Sequence, residues 1–201
     1  ERNLEIIDRQ ADAITHTVQQ LLNLARPRTL SRRLVSWDTL VDSTLELIES
    51  DASSAGVALI RLPGPPVKLE VDPEWLGQVL TNLYRNAIQA MPDGGKLSIE
   101  LLPEKAEREG QDFYAIRVLD TGMGIAREHV NKVFDPFFTT KDVGQGTGLG
   151  LSLSRRIVEE HGGWIAVANR PEGGAAFTIY LPAGVEAPAP QVQQLVTEEV
   201  S

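Results

Sequence analysis

Apolar residues at Leu4, Ile7, Ala11, Ile14, Val18, Leu21 and Ala25 recur in alternating steps of three and four. That heptad seam predicts a helix over residues 1–25 that packs against other helices, and Pro27 ends it. A lone helix of this length is marginal in water, so the seam calls for a partner. A homodimer through this helix is the expectation, and packing on its own domain is the alternative. The basic stretch through Arg33 reads as a linker. From Leu34 the period changes. Asp38 is expected to cap a helix to about Ser54, and residues 57–62 and 67–71 alternate like short strands. Asp72-Pro73 opens a further helix to about Met91, with proline at its first position.

The turn Pro92-Asp-Gly-Gly95 is followed by expected strands at 96–102 and 113–120. After a loop-rich stretch, a helix is expected over 149–160, stopping at Gly162-Gly163. Residues 164–168 and 175–181 make the last hairpin. This order predicts an α+β fold, a two-layer sandwich in which one mixed sheet is covered by helices on one face. Residues 183–201 are rich in Ala, Pro, Gln and Glu and read as a tail or linker.

Composition narrows the chemistry. The chain has 201 residues, 42% hydrophobic and 23% charged, with no cysteine. Disulfide scaffolds, thiolate metal sites and cysteine nucleophiles are therefore excluded. A net charge of −9 argues against a nucleic-acid surface. No apolar run approaches the ~20 residues that span a bilayer, and no signal peptide opens the chain. A cytoplasmic piece without direct membrane contact is expected, and an anchor upstream in a parent protein is compatible with it.

Four short segments carry candidate chemistry. Asn82 and Asn86 share one face of an otherwise apolar helix. Asn86 is the candidate to offer its carbonyl oxygen to Mg²⁺, a cation that takes hard oxygen ligands and keeps several waters. Core-satisfied asparagines are the ordinary alternative. Asp120 ends a strand ahead of Gly122 and Gly124, where a carboxylate can accept from an exocyclic amine and glycines admit a flat ring. An ordinary strand-ending turn explains the same residues. Gly144, Gly146, Gly148 and Gly150 run straight into a helix whose first amides favour phosphate. A glycine-rich linker is the alternative, but Phe134, Phe137 and Phe138 ahead of it suit the anchor of a flap, within which Lys141 supplies a cation. Of the histidines, His16 falls opposite the seam and reads as a surface residue. His129 has no evident partner, and His161 sits at a helix end where a cation suits the dipole. No two have metal-ligand spacing, so no zinc site is expected.

In this order and spacing the segments resemble the N, G1, F and G2 boxes of bacterial two-component sensor histidine kinases. The wording that carries it is Gln78-Val-Leu-Thr-Asn-Leu-Tyr-Arg-Asn-Ala-Ile-Gln-Ala90, Asp120-Thr-Gly-Met-Gly-Ile125 and Gly146-Thr-Gly-Leu-Gly-Leu151. The branch with nitrogen-regulatory and zinc-responsive kinases is the most similar. The resemblance implies a Bergerat-type ATP-binding catalytic domain at 34–182, preceded by the second helix of a dimerisation and phosphotransfer hairpin at 1–26 and a linker at 27–33.

It further implies ATP and Mg²⁺ as cofactors. Asn86 would be the metal ligand with Asn82 beside it, and Arg85 would reach a phosphate. Asp120 would meet adenine with Gly122, Gly124 and Ile125 alongside. Phe138, Thr139, Thr140, Lys141, Gly144, Gly146, Thr147, Gly148, Leu149 and Gly150 would form the lid and its hinge, and Thr178 would brace Asp120 from the neighbouring strand. Asn86, Asn82 and Lys141 form the candidate catalytic set.

The implied reaction passes the γ-phosphoryl group of ATP to a histidine, then to an aspartate on a response-regulator receiver domain. The family's acceptor histidine, followed by an acidic residue and then Asn-Pro or Thr-Pro, has no match here, so autophosphorylation of this chain alone is not expected. Related ATPases of the gyrase, chaperone and mismatch-repair type place a glutamate four residues before the metal-binding asparagine. Here that place is Asn82, which cannot accept a proton at neutral pH. A degenerate nucleotide-binding scaffold is the remaining alternative.

Overall fold

The computed structural model describes residues 29–141 and 146–183. The expected heptad helix with its dimer seam, His16, Gly144 and the tail beyond Ala183 lie outside the described residues. Two sheets form. In the smaller, β1 (Arg33–Ser36) pairs antiparallel with β3 (Lys68–Val71). The larger runs β2 (Val57–Arg61), β4 (Gly95–Leu101), β6 (Gln111–Asp120), β8 (Ala175–Pro182), β7 (Trp164–Asn169), with β5 (Ala106–Arg108) on the outer half of β6. Only the β2–β4 pair is parallel, so the sheet is mixed. Helices α1 (Trp37–Glu46), α2 (Glu49–Ser54), α3 (Pro73–Gln89) and α4 (Gly150–Glu160) cover one face. The α+β sandwich expected from the sequence is the fold observed.

The core forms where two periodicities meet. Leu76, Val79, Leu80, Leu83 and Ala87 repeat at helical spacing on α3 and are all buried. Against them stand alternate strand residues Leu97, Ile99 and Leu101 of β4, Ile116 and Val118 of β6, and Phe177, Ile179 and Leu181 of β8. Asp72 caps α3 as its sequence suggests, accepting from the backbone N–H groups of Glu74 and Trp75. Because β6 and α3 both end at one edge of this core, the residues just after Asp120 come close to Ala90, and Met123 N–H donates to its carbonyl oxygen at 3.2 Å. A Cβ on Gly122 would lie 2.4 Å from the carbonyl oxygen of Ala90.

Three expectations are corrected. The single helix over 38–54 is two helices broken at Leu47 and Ile48, where Ile48 turns fully into the core and Leu47 faces water. Asp38 does not cap it; Ser36 holds that position without a side-chain bond, and Asp38 instead joins Asp42 in pairing with Arg61 of β2. The stretch read as linker contributes Arg33 to β1, whose partner lies more than thirty residues on. Finally, β5 was not legible in the polar run 103–112. Its hairpin to β6 turns on Glu109 and Gly110, both at positive φ (55° and 77°), the geometry that matches strand twist.

Candidate nucleotide-binding site

One face of α3 is polar in register: Gln78, Asn82, Arg85 or Asn86, and Gln89 recur at helical spacing opposite the apolar stripe. That face, the end of β6, residues 124–141 and the start of α4 enclose a cleft of about 1120 Å³. Its size suits a ligand larger than most drug-like molecules. Asn82, Arg85, Asn86, Asp120, Gly124, Ile125, Phe138, Thr139, Thr140, Lys141, Gly146, Thr147, Gly148 and Gly150 all line it.

Asp120 is buried at the floor. Its Oδ1 accepts from the backbone N–H of Gly122 at 2.9 Å and of Ala175 at 3.1 Å. Neither bond involves Oδ2, which remains the acceptor on a carboxylate fixed in place. At the other end, Asn86 Oδ1 and Gln89 Oε1 converge on the Lys141 ammonium, with Nζ 3.2 Å from Asn86. Burial of that ammonium holds its pKa below the ordinary lysine value. A pair of carbonyl oxygens turned toward a cation fits the hard-oxygen donors that magnesium takes.

Asn82 does structural work alongside. Its Nδ2 donates to Ser154 Oγ of α4 at 2.9 Å, so it ties the two helices that flank the cleft. Arg85 lies 3.5 Å from Asp51 of α2, an exposed pair of small energetic weight. The glycine-rich turn crosses the aromatic segment at Gly148, where positive φ (65°) and contact with the Phe137 backbone exclude a Cβ. Phe134 packs edge-on against Phe177 of β8, and His129 likewise meets Phe138, so the segment is anchored at both ends.

Some expected residues stand elsewhere. Gly122 packs on Ala90 at the end of α3, and that close approach is what requires glycine there. Leu149 is fully buried in front of α4. Thr178 lies opposite Arg117 in the β6–β8 register and does not brace Asp120; the backbone of Ala175 does that. His161, expected as a cation suited to the helix dipole, is instead buried. Its Nε2 accepts from the Asp72 N–H, its Nδ1 donates to Ile157 O, and burial lowers its pKa. The sequence reading missed Gln78, Thr81, Gln89 and His129 in the lining, although the stripe of Gln78 and Gln89 with Asn82 on one helix face was a usable signal. Asn169 and Arg170, whose side chains support the Asp120–Ile125 segment, gave no such signal because their partners are over forty residues away.

A two-layer α+β domain with a carboxylate at one end of a helix-flanked cleft and a cation-facing amide at the other defines a nucleotide-binding class. Residues 71–185 match the family described as histidine kinase-, DNA gyrase B-, and HSP90-like ATPase, and the chain belongs to it. Membership implies a site for ATP. Among curated proteins the chain is 37% identical over 188 residues to sensor histidine kinase ZraS of Escherichia coli K12. It is 40% identical over 180 residues to signal transduction histidine-protein kinase AtoS of the same organism. The matches cover 93% and 89% of this chain but only 39% and 28% of those proteins. Among solved structures, histidine kinase ThkA in complex with response regulator protein TrrA is similar at TM-score 0.72 and 28% identity, over 90% of this chain and 51% of that one. The fold is shared with Acinetobacter baumannii histidine kinase AdeS at TM-score 0.73 and 23% identity, over 92% and 85% of the two chains. Among the described residues no helix is long and apolar enough to cross a membrane.

Proposed function

We propose that this chain is the kinase core of a two-component sensor, binding Mg-ATP in the cleft and passing its γ-phosphoryl group to an acceptor histidine on a separate helix. The carrying observation is that one cleft joins a carboxylate with a single oxygen held by two amides to a carbonyl pair turned toward a cation. Asp120 Oδ2 accepts from the exocyclic amine of adenine. The triphosphate then runs along α3 toward Lys141 and the amides entering α4, with Arg85 at its margin. When bound, magnesium neutralises phosphate charge, and Asn86 with Gln89 would hold it.

Phosphotransfer of this kind needs positioning and charge neutralisation more than a base, because a neutral imidazole is already a nucleophile. Water would need one. Asn82 stands four residues before Asn86, is an amide, and is engaged with Ser154, so hydrolysis lacks an activating carboxylate there. Transfer onward to a response-regulator aspartate, and a homodimer through the heptad helix, complete the reading. ThkA, solved with the regulator TrrA, supports the pairing by analogy.

Calorimetric titration of Mg-ATP into the chain tests it, with Asp120→Asn and Asn86→Ala beside it. The parent is expected to bind at micromolar concentration, Asp120→Asn to lose binding, and Asn86→Ala to lose the magnesium dependence. A parent that does not bind, or an Asp120→Asn that binds equally, overturns it.

A further inference from the structure

The segment from Asp120 to Ile125 is held from behind by the turn between β7 and β8. Asn169 places both ends of its amide on one residue: Oδ1 accepts from Ile125 N–H at 2.8 Å, and Nδ2 donates to Ile125 O at 2.6 Å. Arg170, next in sequence, donates from Nη1 to the Asp120 carbonyl oxygen at 2.7 Å. Its guanidinium is oriented by Glu172 Oε1, which takes Nε at 3.1 Å and Nη2 at 2.5 Å, and its side chain is only 20% exposed. Two consecutive side chains thus grip the two ends of the segment.

Neither side chain is needed to close its own turn. The backbone does that, with Arg170 N–H donating to Gly174 O at 3.0 Å and Gly173 N–H to Arg170 O at 3.1 Å. Neither residue lines the cleft, whereas Asp120 and Ile125 both do. The turn also brings Ala175 N–H onto Asp120 Oδ1, and Gly174 passes so close that a Cβ there would lie 2.1 Å from Asp120 O.

We propose that Asn169 and Arg170 are positioning residues for base recognition, setting the spacing between the Asp120 carboxylate and Ile125 so that the cleft selects a purine with an amino group at C6, adenine over guanine. The proposal rests on the reading of Asp120 as the base acceptor. A carboxylate pays for misplacement twice, in a lost bond to the amine and in an anion left buried without it. The grip acts on the base end, whereas the Lys141 ammonium at the phosphate end bonds Asn86 and Gln89 of α3.

The test is calorimetric titration of ATP, GTP and adenosine into the full chain, with thermal unfolding of each variant. Arg170→Met and Asn169→Asp are each expected to weaken ATP and adenosine binding by the same factor, about tenfold for a lost hydrogen bond of ordinary strength. Binding of GTP should change less, so the ATP-over-GTP preference narrows. Arg170→Lys keeps one donor for the Asp120 carbonyl and is expected to restore most of the affinity. Asn169→Asp fails because its second oxygen faces Ile125 O with no proton to give. A lowered melting temperature with unchanged affinity and preference would show a purely structural turn and overturn the proposal. So would loss of ATP binding with adenosine unaffected. Asp120→Asn run in parallel separates the two levels: if it binds ATP like the parent, the base reading itself has failed. If it loses binding while the turn variants do not, only the positioning role falls. Should Asn169→Asp not fold, Arg170→Met against Arg170→Lys decides alone, since both leave the backbone bonds of the turn in place.

Discussion

Gly150 opens α4, and a methyl group built on it would lie 2.4 Å from Asn82 Oδ1. Helix propensity alone favours alanine over glycine by about 1 kcal/mol, so Gly150→Ala sets propensity against packing. The obstacle is the amide end of a side chain, which can swing aside at the expense of its bond to Ser154. Gly150→Ala is therefore expected to be near neutral, within about 1 kcal/mol, the propensity gain offset by the lost hydrogen bond. Asn82→Ala removes the obstructing oxygen along with its bond to Ser154. The double variant should therefore cost less than the two single changes summed. Urea denaturation of the four proteins checks this, and strictly additive costs would sink it. Residue identities of this kind were half legible. The glycine spacing pointed to a special turn, but only the helix packing shows that Asn82 is the neighbour a side chain there would displace.

Between elements, the start of α3 and the end of α4 are joined through Asp72 and His161. Asp72 Oδ1 caps α3, Oδ2 accepts from Ser31 N–H at 2.9 Å, and its own N–H donates to His161 Nε2 at 3.0 Å. Arg32 reaches Glu160 O from the same side at 2.5 Å. The segment entering the domain is thereby fixed to both helices that flank the cleft. These contacts require a neutral imidazole carrying its proton on Nδ1. Burial first, and the Arg32 charge second, lower the His161 pKa, while the Ile157 carbonyl, Asp72 and Glu160 act in the opposite sense. The unfolded chain therefore takes up a proton at higher pH than the folded one. Stability from this group is complete above the ordinary histidine value of 6.5 and is lost as pH falls toward the folded value. Urea midpoints measured from about pH 7.5 to pH 5 should fall for the parent and fall less for His161→Gln. Parallel profiles would mean the imidazole does not carry the effect. The sequence alone suggests a cation suited to the helix dipole here, because the partner that accounts for the imidazole, Asp72, is eighty-nine residues away.

For the molecule as a whole, the described core lies between Trp37 and Leu181 and contains every element that walls the cleft. The Asp120 end and the Asn86 end of the cleft are therefore built by one folding unit. An acceptor is a separate matter. The chain holds three histidines, of which His161 is buried and bonded on both nitrogens and His129 stands in the cleft wall. Incubated with γ-labelled ATP, the purified chain should take up no label, and it should label an added helical hairpin that carries an acceptor histidine. Label on the chain itself would place the acceptor here after all, with His16 the position to map first.

The periodic elements, the α+β class and the four segments that come to line the cleft are legible in the sequence by itself. Each rests on local spacing: an apolar stripe on α3, alternation along β4, β6 and β8, a carboxylate ahead of two glycines. Tertiary structure alone decided what depended on distant partners. It broke the first domain helix at Ile48 by burying that side chain, paired Arg33–Ser36 with Lys68–Val71, and buried His161 with its Nε2 on the Asp72 N–H. It also replaced Thr178 with Ala175 as the brace on Asp120 and set Asn169 and Arg170 behind the Asp120–Ile125 segment of the cleft. A hydrogen bond between residues forty to ninety positions apart leaves no periodic trace in a sequence, because its geometry exists only once the sheet and helices have packed.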